Sequence, residues 1–311
     1  MPNPLSVLRL LRNRELLLSL SVVLGLLSGR PAQWTEPLIL PVLGLVMTFA
    51  LLLISGADLR PARSLLLPGL AGIGVNYGLL SGAILAVAFL LVDDPELRTG
   101  FVVLASVPPG VAVIPFTDFL GGNRSYALLG SLGCYLAGLA LMPLIAFVFL
   151  GSSLLQPLAL ISVAAQLILA PLVLSRLLIR FGLRPALSRV KGAVTNWGFF
   201  VVTYTIVGLN RDLILRDPVG LLPVAGVALI TIWALGPLIR WTAIRLGAGS
   251  GTAAALMFLG TIKNYGIAGG VSLALIGTEA ALPATVSVVF MIGFMVLQGL
   301  LQHTRRFARM T

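Results

Sequence analysis

Apolar residues run along this chain in long blocks, with little of the strict alternation of a half-buried strand or the single stripe of a surface helix. Ten blocks can be marked, each closed by charges, proline or glycine, at 15–29, 37–56, 67–92, 98–120, 125–150, 157–180, 192–209, 218–240, 251–276 and 280–302. Most have the roughly 20 apolar residues that a helix needs to cross a bilayer. The pattern predicts ten spans joined by short loops.

Composition agrees. Of 311 residues, 58% are hydrophobic and 10% charged, against about a quarter charged in an ordinary soluble domain. That excludes a soluble enzyme, a nucleic-acid-binding module and a disulfide-stapled secreted domain. The lone Cys134 allows no intramolecular disulfide, and a single thiol is no metal site. The first block follows Arg9, Arg12 and Arg14 in the manner of a signal peptide, but Ser28, Gly29, Arg30 and Pro31 form a poor cleavage site, so it is expected to be a first span.

The net charge of +11 resolves into a topology. With the N-terminus cytoplasmic, sixteen basic residues fall inside and four outside (Arg30, Arg98, Arg211 and Arg216), with Lys263 left within a span. Glu36, Asp93, Asp94, Glu96, Asp212, Asp217 and Glu279 all fall outside. This bias predicts both termini in the cytoplasm of a bacterial-type inner or plasma membrane and leaves no basic excess for nucleic acid.

Ten spans divide into two fives, 1–153 and 154–311. A five-span unit enters and leaves on opposite sides, so a duplicate inserts upside down, as in many secondary carriers. Each half should then contain an interrupted helix at the same ordinal place. The fourth span has Pro108, Pro109 and Gly110, and the ninth has Lys263, Asn264, Tyr265 and Gly266 in mid-segment. Paired interruptions of this kind point to a binding site.

Lys263 is one of two lysines among 21 basic residues. An ammonium at membrane depth is costly, by about 3 kcal/mol on insertion scales, and should face protein or a watery cavity. It supports two readings: a contact for a substrate anion or a proton carrier, and a tethered cation neutralising carbonyls exposed at the helix break. Asp118, eight residues beyond the proline pair, could partner Lys263, carry a proton, or lie solvated at the cytoplasmic end; Gly121 and Gly122 end the span soon after and favour the last. Asn76 and Tyr77, Ser131 and Tyr135, and Asn264 and Tyr265 are polar groups on spans flanking the two breaks, each an interhelical hydrogen bond or a cavity wall. Asn196, Trp197 and Tyr204 are expected to pack in the core, and the glycine-rich stretch 69–82 to let helices approach closely. No catalytic constellation or nucleotide-binding loop is present, and no cofactor is expected.

Several short motifs then resemble the bile acid:sodium symporter family: residues 55–61 (SGADLRP), Pro108, Pro109 and Gly110, Gly122 and Asn123, Met142 and Pro143, and the run from Lys263 through Gly266 with its small-residue helix. The resemblance implies an all-α polytopic membrane protein, with ten transmembrane helices in two inverted five-helix repeats and broken, crossing fourth and ninth helices. A panel domain would comprise 15–56 and 157–209, and a core domain 67–150 and 218–302. Relatives move organic anions such as bile acids by alternating access, with two sodium ions bound beside the crossing. Those sodium positions fall here on Asn76, Val113, Ile114, Ala127, Ser131, Leu259, Gly260, Ile262 and Lys263, of which Asn76 and Ser131 alone keep a side-chain oxygen. The shared acidic ligand is replaced by Leu259 and a glutamine ligand by Lys263. The expectation is a sodium-independent carrier of small organic anions, working by uniport, exchange or proton coupling, with no metal bound. The alternatives are a sodium-coupled symporter, and a non-transporting sensor or channel on the same fold.

Overall fold

The computed structural model describes residues 14–52, 63–110, 112–154, 162 and 165–307. The described residues are predominantly helical, with no strands among them. In chain order the helices are α1 (Arg14–Leu27), α2 (Ile39–Leu51), α3 (Arg63–Ile73), α4 (Ser81–Leu91), α5 (Pro95–Ser106), α6 (Val113–Phe119), α7 (Arg124–Leu154) and α8 (Ala170–Arg180). They continue with α9 (Arg184–Leu209), α10 (Arg211–Arg216), α11 (Leu222–Ala228), α12 (Leu235–Arg245), α13 (Ser250–Leu259), α14 (Tyr265–Leu275) and α15 (Leu282–Phe307). π-helical turns join α3 to α4 (Gly74–Leu80) and α11 to α12 (Leu229–Ala234), so each pair forms one continuous rod.

Among the described residues, six helical stretches are long and apolar enough to cross a membrane: Ala32–Leu51, Leu66–Leu91, Arg124–Gly151, Arg184–Leu209, Leu222–Arg245 and Glu279–Gly299. The other four sequence blocks differ for identifiable reasons. α1 has only 14 residues. The blocks at 98–120 and 251–276 are each split into two helices by a break, and the block at 157–180 is only partly within the described residues. The motif at 55–61 and the basic residues Arg9, Arg12, Arg60 and Arg309 lie outside them.

Local chemistry sets the two breaks. α5 starts where the Asp94 side chain accepts from Leu97 N at 2.9 Å, with Pro95 in the first turn. It stops at Val107, which is extended (φ −72°, ψ 153°) because it precedes Pro108. α13 runs out at Gly260, and α14 restarts at Asn264, whose side chain accepts from Ile267 N at 3.1 Å.

Small residues set the packing. α3 crosses α7 through glycines: a Cβ on Gly72 would fall 2.7 Å from Gly130 O, and one on Gly133 would fall 2.6 Å from Gly69 Cα. This close approach is the one expected for the stretch 69–82, but only over its first turn. Gly74, Gly78 and Gly82 face open space. α9 packs along α1 and α2, with Gly25 against Val207 and Gly198 against Val46. The apolar core gathers around the breaks, with Phe101, Phe258 and Phe294 buried. Leu67, Leu90 and Val148 are exposed on the outside, as on a surface solvated by lipid.

Candidate functional site at the crossing of two broken helices

The two breaks lie against each other. Pro109 and Lys263 pair as antiparallel backbone, and Asn264 N donates to Pro108 O at 2.9 Å. Gly110 permits the contact, since a Cβ there would fall 2.9 Å from Lys263 O. The Asn264 amide approaches Met47 Sδ at 3.6 Å, and the Tyr265 hydroxyl donates to Thr261 O at 3.1 Å, so both residues brace the break.

Lys263 is 1% exposed, and its ammonium donates three hydrogen bonds: to Asn76 Oδ1 at 2.8 Å, to Ser81 Oγ at 2.9 Å and to Val107 O at 2.9 Å. An ammonium has three N–H donors, so the set is complete. Its Nζ also lies 4.5 Å from the centre of the Tyr77 ring. All three acceptors are neutral.

Their own bonds extend the network. Asn76 Nδ2 donates to Leu259 O at 2.7 Å, and Ser81 Oγ donates to Ala105 O at 2.7 Å. The charge thus sits beside the carbonyl-rich end of α5 and is linked through Asn76 to that of α13, where a cation is favoured by the helix dipoles.

Ser81 is the residue that the sequence pattern does not disclose. In an α-helix, residues five apart point about 140° away from each other. The π turn between α3 and α4 adds a residue and brings Asn76 and Ser81 toward one face.

Other residues are brought near without being joined. The hydroxyls of Tyr77, Ser131 and Tyr135 are buried with no hydrogen-bond partner among the described residues, and Cys134 is fully buried on the same stretch of α7. Val113, Ile114, Ala127, Leu259 and Ile262 form part of the apolar core, while Gly260 is pressed between Ile239 and Val75. Asp118 is exposed at the end of α6 and makes no contact with Lys263. Its place one residue before the end of α6 fits the solvated reading. Trp197 departs from its expected core position: it is 42% exposed and heads an aromatic row with Phe200 and Tyr204.

A cavity of about 40 Å³ adjoins the crossing, lined by Gly110, Ile262, Lys263, Asn264, Phe199 and Thr203 among others. It has room for a few waters.

The sequence profile of the sodium bile acid symporter family matches residues 40–216, more than half of the chain. The protein belongs to the sodium bile acid symporter family. It is therefore a membrane transporter of the bile acid and organic-anion type, in keeping with its long apolar helices. The matched stretch includes Asn76, the proline break and Ser131, and ends before Lys263. No curated protein matches the chain.

Proposed function

We propose that this protein carries organic anions across the membrane by alternating access without sodium, its own Lys263 ammonium standing where relatives would hold a metal cation. The observation that carries the reading is the threefold bonding of Nζ to Asn76, Ser81 and Val107 at the crossing. A sodium ion needs several oxygen ligands there. The ammonium already occupies the oxygens of Asn76, Ser81 and Val107, and the positions at Val113, Ile114, Ala127 and Leu259 offer only apolar side chains.

The proposed architecture is ten helices in two inverted repeats, 1–153 and 154–311, with both termini cytoplasmic. The matched breaks at Gly110 and Lys263 support it, as does a π turn within the third block and again within the eighth. A panel of 15–56 and 157–209 moving against a core of 67–150 and 218–302 is supported by the packing of α9 on α1 and α2, and of α8 on α2. The 40 Å³ cavity between α9 and the crossing is far below the roughly 300–1,000 Å³ of a ligand pocket. Substrate entry would require α9 to separate from α14 and α15.

Purified protein in proteoliposomes tests the reading. Uptake of a radiolabelled bile acid should be saturable and should have the same rate with sodium or potassium as the only cation. A strict requirement for a sodium gradient would overturn it. A Lys263→Gln substitution should lower uptake at least tenfold or create sodium dependence.

The orphaned hydroxyls of Tyr77, Ser131 and Tyr135 favour one second reading, coupling to protons through bridging water beside Lys263. In that case uptake in the same vesicles should follow an imposed pH gradient and lose this response in Lys263→Gln.

A further inference from the structure

A second cavity lies away from the crossing, where α1 ends and α9 gives way to α10. It measures about 420 Å³, and Ser28, Gly29, Arg30, Gln33, Arg211 and Asp212 contribute to its lining. That volume is within the range of ligand pockets. Its floor depends on two glycines: a Cβ on Gly29 would fall 2.6 Å from Gly208 O, and one on Gly208 would fall 2.7 Å from Ala32 Cβ. The Tyr204 hydroxyl fixes one wall by donating to Ser28 O at 2.9 Å. Arg211 is held in place, with Nε donating to Leu26 O at 2.6 Å and Nη1 to Asp212 at 2.8 Å. Its Nη2 makes no bond among the described residues, and neither does the Arg30 side chain.

Two guanidiniums against one carboxylate leave the basin with a net positive charge. Leu27, 70% exposed, adds an apolar side chain to this mostly polar lining, and Trp34, 81% exposed, follows the lining residue Gln33 in the chain. Exposed tryptophan beside charge is the arrangement found at a membrane–water boundary. On the proposed orientation, two of the four basic residues outside the cytoplasm line this one basin, against the general bias.

We propose that this basin binds the carboxylate or phosphate head of an anionic amphipath at the bilayer surface, with Arg30 and Arg211 as its donors and Leu27 against its apolar tail. The inference goes beyond the transport reading and stands without it. Gly208 on the basin floor follows Val207, which lines a small cavity beside α14, so the site neighbours the crossing side of α9.

The test is equilibrium binding of radiolabelled dodecanoate to the full chain in nanodiscs of phosphatidylcholine, with empty discs subtracted. Binding should saturate, weaken about tenfold in Arg30→Gln and partly recover in Arg30→Lys, since loss of one charge-assisted contact is worth about a decade. Arg216→Gln, a neighbouring charge that does not line the basin, should bind as the wild type does. Binding is read at equilibrium with no ion or voltage gradient and against the Arg30 variants, so its outcome is separate from that of the transport proposal. Displacement of dodecanoate by phosphatidylglycerol in the discs, lost in Arg30→Gln, would identify a lipid headgroup as a natural occupant. Absence of displacement would assign the basin to free carboxylates. Equal binding by wild type and Arg30→Gln, or an equal loss in Arg216→Gln, would overturn the proposal.

Discussion

Lys263 brings an amine into an apolar interior, and what makes its charged form tolerable there is an arithmetic match of three protons to three oxygens. The match is exposed to single substitutions. Ser81→Ala would remove one acceptor and leave Ala105 O without its donor, at a cost of about 1–3 kcal/mol, read as a lower thermal midpoint in detergent. Asn76→Leu should cost more, because it strips an acceptor from the ammonium and the donor from Leu259 O together. The sequence made Lys263 and Asn76 conspicuous, since charged and amide groups are rare in such a chain. It did not reveal Ser81, because a serine in a small-residue helix is ordinary and its alignment with Asn76 comes from an added residue in the helical turn. Val107 escaped too: its contribution is a backbone carbonyl, for which no side chain speaks.

At the scale of elements, the breaks were legible from Pro108 and Pro109, which remove amide donors, and from Asn264, which caps the restart of α14. Their pairing was not, because contact between Pro109 and Lys263 depends on how two distant helices cross. Gly110 records that contact. In Gly110→Ala the new methyl would meet Lys263 O and push the breaks apart, an overpacking cost of about 1–3 kcal/mol. Both thermal midpoint and uptake should fall. The glycines of the α3 rod offer an internal comparison. Gly72→Ala would drive a methyl into the backbone of Gly130 and should destabilise, whereas Gly74→Ala meets nothing and should be neutral or stabilising by up to about 1 kcal/mol. Sequence alone treats these two glycines alike; only the crossing with α7 distinguishes them.

For the molecule as a whole, the apolar blocks made the membrane legible at once, and the charges offered an orientation. That orientation can be read chemically. The one native cysteine, Cys134, is fully buried, so an introduced thiol reports with little background. Asp93→Cys should react with a membrane-impermeant maleimide on intact cells, and Leu246→Cys only after permeabilisation; both parent residues are highly exposed. The reverse pattern would invert the topology. A further consequence follows from the bonding of Nζ. If Lys263 replaces sodium as proposed, a cation that belongs to the chain cannot be released on one side and recruited on the other, so it would bring no stored energy from an ion gradient. The remaining force on a transported monoanion is the membrane voltage, about 2.3 kcal/mol per 100 mV. With the cytoplasm negative, that force points outward and is worth nearly two decades of concentration. On the proposed sodium-independent reading, and unless the carrier swaps anion for anion or picks up a proton, it would work as an exit, and potassium-diffusion potentials of opposite sign in vesicles should reverse the direction of net flux.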